Sequence, residues 1–379
     1  MNSRADSRLA TPTIRGSITL REIRQQPDVW GATLEQIASL PSSAKLNGRP
    51  TIVCGAGSSA YAAAIVALAW SNARAIPTTD LLVQSKEELA AIFPAFAQGG
   101  VLVSLARSGE SPESVGVIAR FQNLFPQVKH LAITCNETGQ LAHMAGIESI
   151  VLDPRTNDQS LVMTASFSNL ALAGLAFQHS ESLRPRLPQI SANTRSVIPQ
   201  LETVAQQLAA RKPPRVAVLT SPGLAPLAQE ASLKILEMTA GRVVALPETY
   251  LGLRHGPMSF LTAEALVLCV LSSDQQRRPY ELDLIRELRK KALGCLVLVG
   301  LADSENELGH YAVPAVAPDI IDEFRTPFEI VFPQFLGYYL SLGLGLDPDN
   351  PSPNGVITRV VRKFQLHDYD IGRGDKITG

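Results

Sequence analysis

Thr51-Ile52-Val53-Cys54-Gly55-Ala56-Gly57-Ser58-Ser59-Ala60 is an apolar run, a turn of small residues and the opening of a helix. A second stretch repeats the pattern. Val101-Leu102-Val103 leads into Ser104-Leu105-Ala106-Arg107-Ser108-Gly109-Glu110-Ser111-Pro112-Glu113. Strands that read as unbroken apolar runs are covered on both faces, which predicts a parallel sheet. At each turn backbone N–H groups converge, and the following helix adds partial positive charge, so the place suits an anion. Hydroxyls at Ser58, Ser59, Ser108 and Ser111 add donors, and Arg107 adds a full charge. Two such loops in one unit predict a phosphorylated small molecule held between them. Ser111-Pro112-Glu113 is itself a helix start: a serine cap, proline at the first helical position, then an acid in the first turn.

Working outward, further strands are expected near 51–54, 101–105, 130–134 and 148–152, with helices over 59–72, 111–124 and 162–179. The chain then repeats itself. Ile52-Val53-Cys54 aligns with Ala217-Val218-Leu219, Val101–Ser104 with Leu266–Cys269, and His130–Thr134 with Cys295–Val299, all at an offset of 165. Three strands at one offset predict two copies of one α/β unit rather than one large sheet. The expected fold is therefore two tandem, doubly wound parallel-sheet domains. A helical segment covers 1–45, opened by a capping box at Thr19–Glu22. The first domain spans 46–205 and the second 206–346. A proline-rich joint over 183–214 contains a helical piece near 196–210. Asp347–Gly355 is a turn-rich linker into a tail, 347–379.

Composition narrows the function classes. The 379 residues are 45% hydrophobic and 18% charged with a net charge of −1, so nucleic acid is not an expected partner. No apolar run approaches the roughly 18 residues of a membrane span. Met1–Asp6 lacks a signal-peptide core, and Cys54, Cys135, Cys269 and Cys295 sit in strand-like runs without a C-x-x-C pair. Together these predict buried reduced thiols in a cytoplasmic protein. The glycine loop lacks the third glycine of a dinucleotide fingerprint, and no acid follows about 20 residues on.

Two further segments carry chemistry. In Leu227–Met238 the side chains of Glu230, Lys234 and Glu237 fall at i, i+4 and i+7, on one face of an otherwise apolar helix. A buried charged stripe needs partners or a task. His255 lies in Leu253-Arg254-His255-Gly256-Pro257, eighteen residues after Glu237. The remaining histidines, His367 in the tail among them, show no metal-ligand spacing, so no metal is expected.

These pieces resemble the sugar isomerase (SIS) family. The finer motifs are Ala106–Ser114, Ile133-Thr134-Cys135-Asn136-Glu137, Asp158-Gln159-Ser160 with Met163-Thr164-Ala165-Ser166, and Gly252–Pro257. They are similar to the tagatose-6-phosphate ketose/aldose isomerases, also described as galactosamine-6-phosphate deaminases. The resemblance covers nearly the whole chain. It implies an aldose–ketose isomerase/deaminase acting on an amino sugar 6-phosphate, without a cofactor. Ser59, Arg107, Ser108 and Ser111 would hold the phosphate, and Ser58 would touch the sugar. Glu237 would move the proton between C1 and C2, and His255 would assist ring opening in a neighbouring subunit, implying a homodimer or higher oligomer. Gly57, Lys234, Thr164, Ser166 and His367 are further candidates. Ala106 departs from the serine common in such loops, and Met258 from a lysine frequent after H-G-P. Kept as alternatives are a glucosamine-6-phosphate deaminase, a transaminase, a plain phosphosugar isomerase and, from another class, a non-catalytic sugar-phosphate sensor.

Overall fold

The computed structural model describes residues 15–41, 46, 48–300, 307–361 and 365–367. Helices α1 (Ser17–Arg24) and α2 (Gln26–Ala38) come first. The first unit then runs β1 (Thr51–Cys54), α3 (Ser58–Ala69), β2 (Ala73–Ala75), α4 (Thr78–Leu82), α5 (Lys86–Ile92), β3 (Val101–Ala106), α6 (Pro112–Leu124), β4 (Lys129–Thr134), α7 (Gln140–His143), β5 (Glu148–Val151) and α8 (Ala165–Leu183). Helix α9 (Leu187–Ala210) leads into the second unit: β6 (Arg215–Thr220), α10 (Ala225–Met238), β7 (Val244–Thr249), α11 (Tyr250–Leu253), β8 (Leu266–Val270), α12 (Arg278–Lys290), β9 (Cys295–Val299), β10 (Tyr311–Val313), α13 (Asp322–Glu329) and α14 (Val331–Gly343).

Both sheets are parallel and share one order. The first is β2-β1-β3-β4-β5 and the second, read from its other edge, is β7-β6-β8-β9-β10. The expected pair of α/β units is therefore present. Thr51 faces Val101 in one sheet and Val216 faces Leu266 in the other, which keeps the offset of 165. The third strand slips by one. Val101–Leu102 pairs with Lys129–His130, whereas Leu266 pairs with Cys295, so Cys295 corresponds to Lys129 rather than His130. A slip of one exchanges the two faces of a strand. Unbroken apolar runs buried on both faces tolerate this, and for the same reason pattern alone could not detect it.

One core is shared. Its residues come from the inner faces of both sheets and from α2, α3, α8, α9, α10, α13 and α14, while separate outer cores lie under α5–α6 and under α11–α12. All four cysteines are buried free thiols. No described helix is long and apolar enough to cross a membrane.

Three local expectations need correction. The joint is a 24-residue helix, α9, carrying Pro199 in its interior, because its apolar stripe packs into the shared core. The next expected helix begins at Ala165 rather than 162, since the Asp158 carboxylate collects the N–H groups of Thr164, Ala165 and Ser166. Thr19–Glu22 is not a capping box. Helix α1 begins two residues earlier, and its free N–H groups are taken by the tail: Gly16 by Asp347 at 2.9 Å, Ile18 and Thr19 by Asp349 at 3.2 and 2.7 Å. An acceptor from 330 residues away does the work a local side chain was expected to do. Strand β2 escapes the pattern because it is a three-residue edge strand with an exposed Arg74 at its centre.

Candidate functional site

The site sits where the order of the first sheet reverses. After β1 the chain crosses to β2 on one side, after β3 to β4 on the other, and the crevice between their carboxyl ends is the place for a ligand in an open parallel sheet. Gly55 is required there, since a Cβ would stand 2.4 Å from the Ser59 carbonyl oxygen. Gly57 has φ +56° and faces open space, and no side chain caps α3; the Ser59 and Ala60 N–H groups donate to the Ala56 and Gly57 carbonyls at 3.1 and 2.9 Å. Ser58 and Ser59 begin that helix and are buried. Beyond β3, the Ser111 hydroxyl accepts from Ser114 N–H at 3.2 Å as the cap of α6, and Ser108 Oγ accepts from Glu110 N–H at 3.3 Å.

Arg107 is 7% exposed and meets only carbonyls. Its Nη1 donates to Leu161 O at 2.9 Å and Ser160 O at 3.4 Å, and Nη2 donates to the carbonyl of Arg359 in the tail at 2.5 Å. Nε–H makes no hydrogen bond among the described residues and is the donor left for a ligand. Burial first, and then the Arg359 charge, lower its pKa, while Asp158 and Glu237 oppose that.

Helix α10 packs against α3 and delivers its charged stripe to this crevice. Lys234 is fully buried, donates to Glu237 Oε2, and stands 3.5 Å from Glu230 Oε1. Burial disfavours its charge, yet Glu230 and Glu237 together outweigh burial and raise its pKa. Glu230 is also fully buried, faces Ser58, and makes no hydrogen bond through either oxygen. Burial pushes its carboxyl up to about 8, helped by Glu237 and opposed by Lys234. Burial thus favours the neutral form of Glu230, and Lys234 makes its hydrogen bond to Glu237, whose side chain keeps 25% of its surface open. A carboxylate that is paired with an ammonium and still partly open is suited to receive a proton from carbon.

The chain matches no protein-family model. It does match curated proteins along almost its whole length. A D-galactosamine-6-phosphate deaminase AgaS of Shewanella sp. (strain ANA-3) is 34% identical over 375 residues, 93% of this chain and 92% of the relative. The chain belongs to the D-galactosamine-6-phosphate deaminase AgaS family. An AgaS of Escherichia coli is 31% identical over 376 residues, 93% of this chain and 96% of that protein. Among solved structures, the tagatose-6-phosphate ketose/aldose isomerase of Escherichia coli superposes with a TM-score of 0.79 at 28% identity, covering 95% of this chain and 99% of that one. Glucosamine-6-phosphate deaminase of Thermotoga maritima shares the fold alone, with a TM-score of 0.67 at 20% identity over 91% of this chain and 99% of that one.

In this AgaS-family chain, Gly57, Ser58, Ser59, Arg107, Ser108 and Ser111 lie on the turns and helix starts after β1 and β3, and Lys234 and Glu237 lie on α10, which packs against α3. Thr164 and Ser166 do not reach for a ligand: their hydroxyls donate to the Asp158 carboxylate at 2.9 and 2.5 Å. His367 is exposed on the tail without a hydrogen bond among the described residues. His255 stands apart from Glu237. Its neighbours Tyr250 and Leu253 pack in the outer core of the second sheet, whereas Ile235 and Met238 beside Glu237 pack in the shared core. The His255 ring is exposed and makes no hydrogen bond among the described residues. Ala106 is buried in an outer core, and Met258 Sδ meets Lys291 Nζ at 3.5 Å.

Three contributors escaped the sequence reading. Glu230 was visible on the charged stripe, but its burial against Ser58 was not. Glu22 accepts from Gln159 N–H and Ser160 Oγ, both at 2.5 Å, and burial followed by Asp158 raises it to about 7. Arg359 reaches back to the loop before α8. No spacing in sequence signals either of the last two, because both contacts span well over a hundred residues.

Proposed function

We propose that this chain converts galactosamine 6-phosphate and water into tagatose 6-phosphate and ammonia. The single observation that carries the reading is the arrival of the Glu230–Lys234–Glu237 stripe, from the second unit, at the serine loops of the first. In this reading residues 46–205 anchor the phosphate and 206–346 perform the chemistry, flanked by the 1–45 segment and the 347–379 tail.

The steps follow from the groups. The phosphate is held by the α3 and α6 N-termini, Ser59, Ser108, Ser111 and Arg107 Nε–H. Ring opening moves the C1 hydroxyl proton away and protonates the ring oxygen, leaving a C1 aldehyde. Glu237 takes the C2 proton as water protonates the C1 oxygen, giving an enaminol, and returns it to C1 as the amino group gives a proton back to water. C1 becomes a hydroxymethyl group and C2 an imine, which water hydrolyses to the ketone with release of ammonia. Lys234 holds the Glu237 carboxylate in place through its hydrogen bond. General base catalysis of this kind contributes about 10²–10⁴-fold.

His255 serves a second copy. Its exposure supports this, as does the company it keeps: Leu236, Val244 and Leu251 are exposed apolar side chains on α10, β7 and α11 of the same unit. The working form is then a dimer or larger assembly. Four buried free thiols suit the reducing cytoplasm. The test is a panel of hexosamine 6-phosphates scored for both ammonia and ketose. Equal yields of the two from the galacto substrate are expected. Ketose without ammonia would reduce the activity to isomerisation, and tight binding without turnover would make the protein a sensor.

A further inference from the structure

The tail does more at this crevice than cap α1. Arg359 Nε donates to Asp158 O at 2.9 Å, and Nη2 donates to Asp158 O at 2.5 Å and to Asn157 Oδ1 at 2.7 Å. The carbonyl of the same residue accepts from Arg107 Nη2 at 2.5 Å, and Arg107 Nη1 holds Leu161 O in the loop that Arg359 holds at its other end. Two guanidinium groups thus clamp one loop, 157–161, and are linked to each other through a single carbonyl.

Neither guanidinium has a carboxylate within ion-pair distance among the described residues. The Asp158 carboxylate is occupied by the Thr164, Ala165 and Ser166 N–H groups and by two hydroxyls. Glu22, whose pKa is raised to about 7, carries only part of a charge near neutrality. A nearly buried arginine with neutral partners is costly, and a second cation beside it makes the cost larger. A dianion arriving at the α3 and α6 N-termini would relieve both terms.

We propose that Arg359 is a positioning residue for phosphate binding: its fork on Asn157 and Asp158 fixes the tail carbonyl that orients Arg107 toward the phosphate. The inference rests on the phosphosugar reading above and deepens it. Arg359 acts through Arg107, so its loss weakens anchoring of the phosphate, which is held equally in ground and transition states. That signature is a higher KM at an unchanged kcat.

The experiment compares wild type, Arg359→Met and Arg359→Lys on the full chain. It measures binding of inorganic phosphate by calorimetry, steady-state kinetics with galactosamine 6-phosphate, and Tm. Methionine keeps the aliphatic stem, and lysine keeps the charge but not the fork. Both variants are expected to weaken phosphate binding and raise KM by about tenfold, with kcat within about twofold, as for loss of one charge-assisted hydrogen bond. Unchanged phosphate affinity in Arg359→Met overturns the proposal, as does a fall in Tm with no change in KM. Full rescue by lysine overturns it too, because charge alone would then suffice. A wild type that binds neither inorganic phosphate nor any hexosamine 6-phosphate removes the phosphosugar reading itself, a result independent of the variants.

Discussion

The two units end their central strands in the same way and then diverge. In the first, the loops after β1 and β3 carry serines and a buried arginine whose guanidinium meets only backbone carbonyls. In the second, the equivalent loops after β6 and β8 are already full. Ser272 and Ser273 stand at the 165 offset from Arg107 and Ser108, and their donors are taken by the protein's own carboxylates. Ser273 N–H and Oγ donate to Asp322 Oδ1 at 2.8 and 3.0 Å, and Ser272 Oγ donates to Asp322 Oδ2 at 2.5 Å. Glu281 accepts from Ser272 N–H at 3.0 Å and from Ser221 Oγ at 2.5 Å. Arg325 pairs with Asp322 at 3.1 Å and Glu329 at 3.2 Å. An internal carboxylate occupies the place that a ligand anion would take in the first unit. In the second unit the turns are closed as a structural lock, because the chain fills them with its own carboxylates.

The contrast can be broken at several points. Glu237→Gln should lower kcat by about 10²-fold or more while phosphate affinity is retained. Near-normal turnover would remove the second unit from the chemistry. On the other side, Asp322→Ala removes one of the two carboxylates paired with the buried Arg325 and leaves Ser272 and Ser273 without their acceptor, and should cost about 3–5 kcal/mol of stability, read as a lower Tm. A negligible loss would show that the second cradle is not a lock. Matched serine deletions sharpen the difference. Ser108→Ala should raise KM by about tenfold at constant kcat, for one hydrogen bond to a charged group, while Ser273→Ala should change stability and leave KM alone. Similar KM changes in both would make the two cradles equivalent.

Protons distinguish the charged stripe on α10 from the filled turns of the same unit as well. Glu230 has its pKa raised by burial to about 8, so the folded state holds that proton more tightly than the unfolded chain does. Its contribution to stability is complete at low pH and is lost as pH rises from about 4.5 through 8. Asp322 behaves oppositely. Burial opposes its ionisation, but the hydrogen bonds from Ser272 and Ser273 and the charge of Arg325 prevail and lower its pKa. Its contribution is present above the ordinary carboxylate value and is lost on acidification. Glu230→Gln should therefore flatten the fall of Tm between pH 5 and 8 without altering the acid limb. An unchanged slope in that variant would place the titration elsewhere.

Much of the active region was legible because its signals are local. Gly57-Ser58-Ser59 and Ser111-Pro112-Glu113 each state a turn and a helix start within a few residues, and Glu230, Lys234 and Glu237 share a face through helix geometry alone. The repeat at 165 was legible for the same reason, since buried parallel strands keep long apolar runs. What failed was everything bonded across the chain. Thr19 looked like a cap until Asp349 supplied one, and Thr164 and Ser166 looked like ligand donors until Asp158 claimed them. His255, expected to serve a neighbouring subunit, packs with the outer core of the second sheet, apart from Glu237 in its own chain.

Taken alone, the sequence determined two parallel α/β units, serine-bearing strand-to-helix turns in the first and a charged helical stripe in the second. These are consequences of backbone geometry and side-chain periodicity, which act over a few residues. Only the tertiary structure decided which cradle stays open, which glutamate holds its proton and which arginines face each other across the tail. Those outcomes depend on burial and on partners more than a hundred residues away, and desolvation sets the charge of a group only after the whole chain has folded around it.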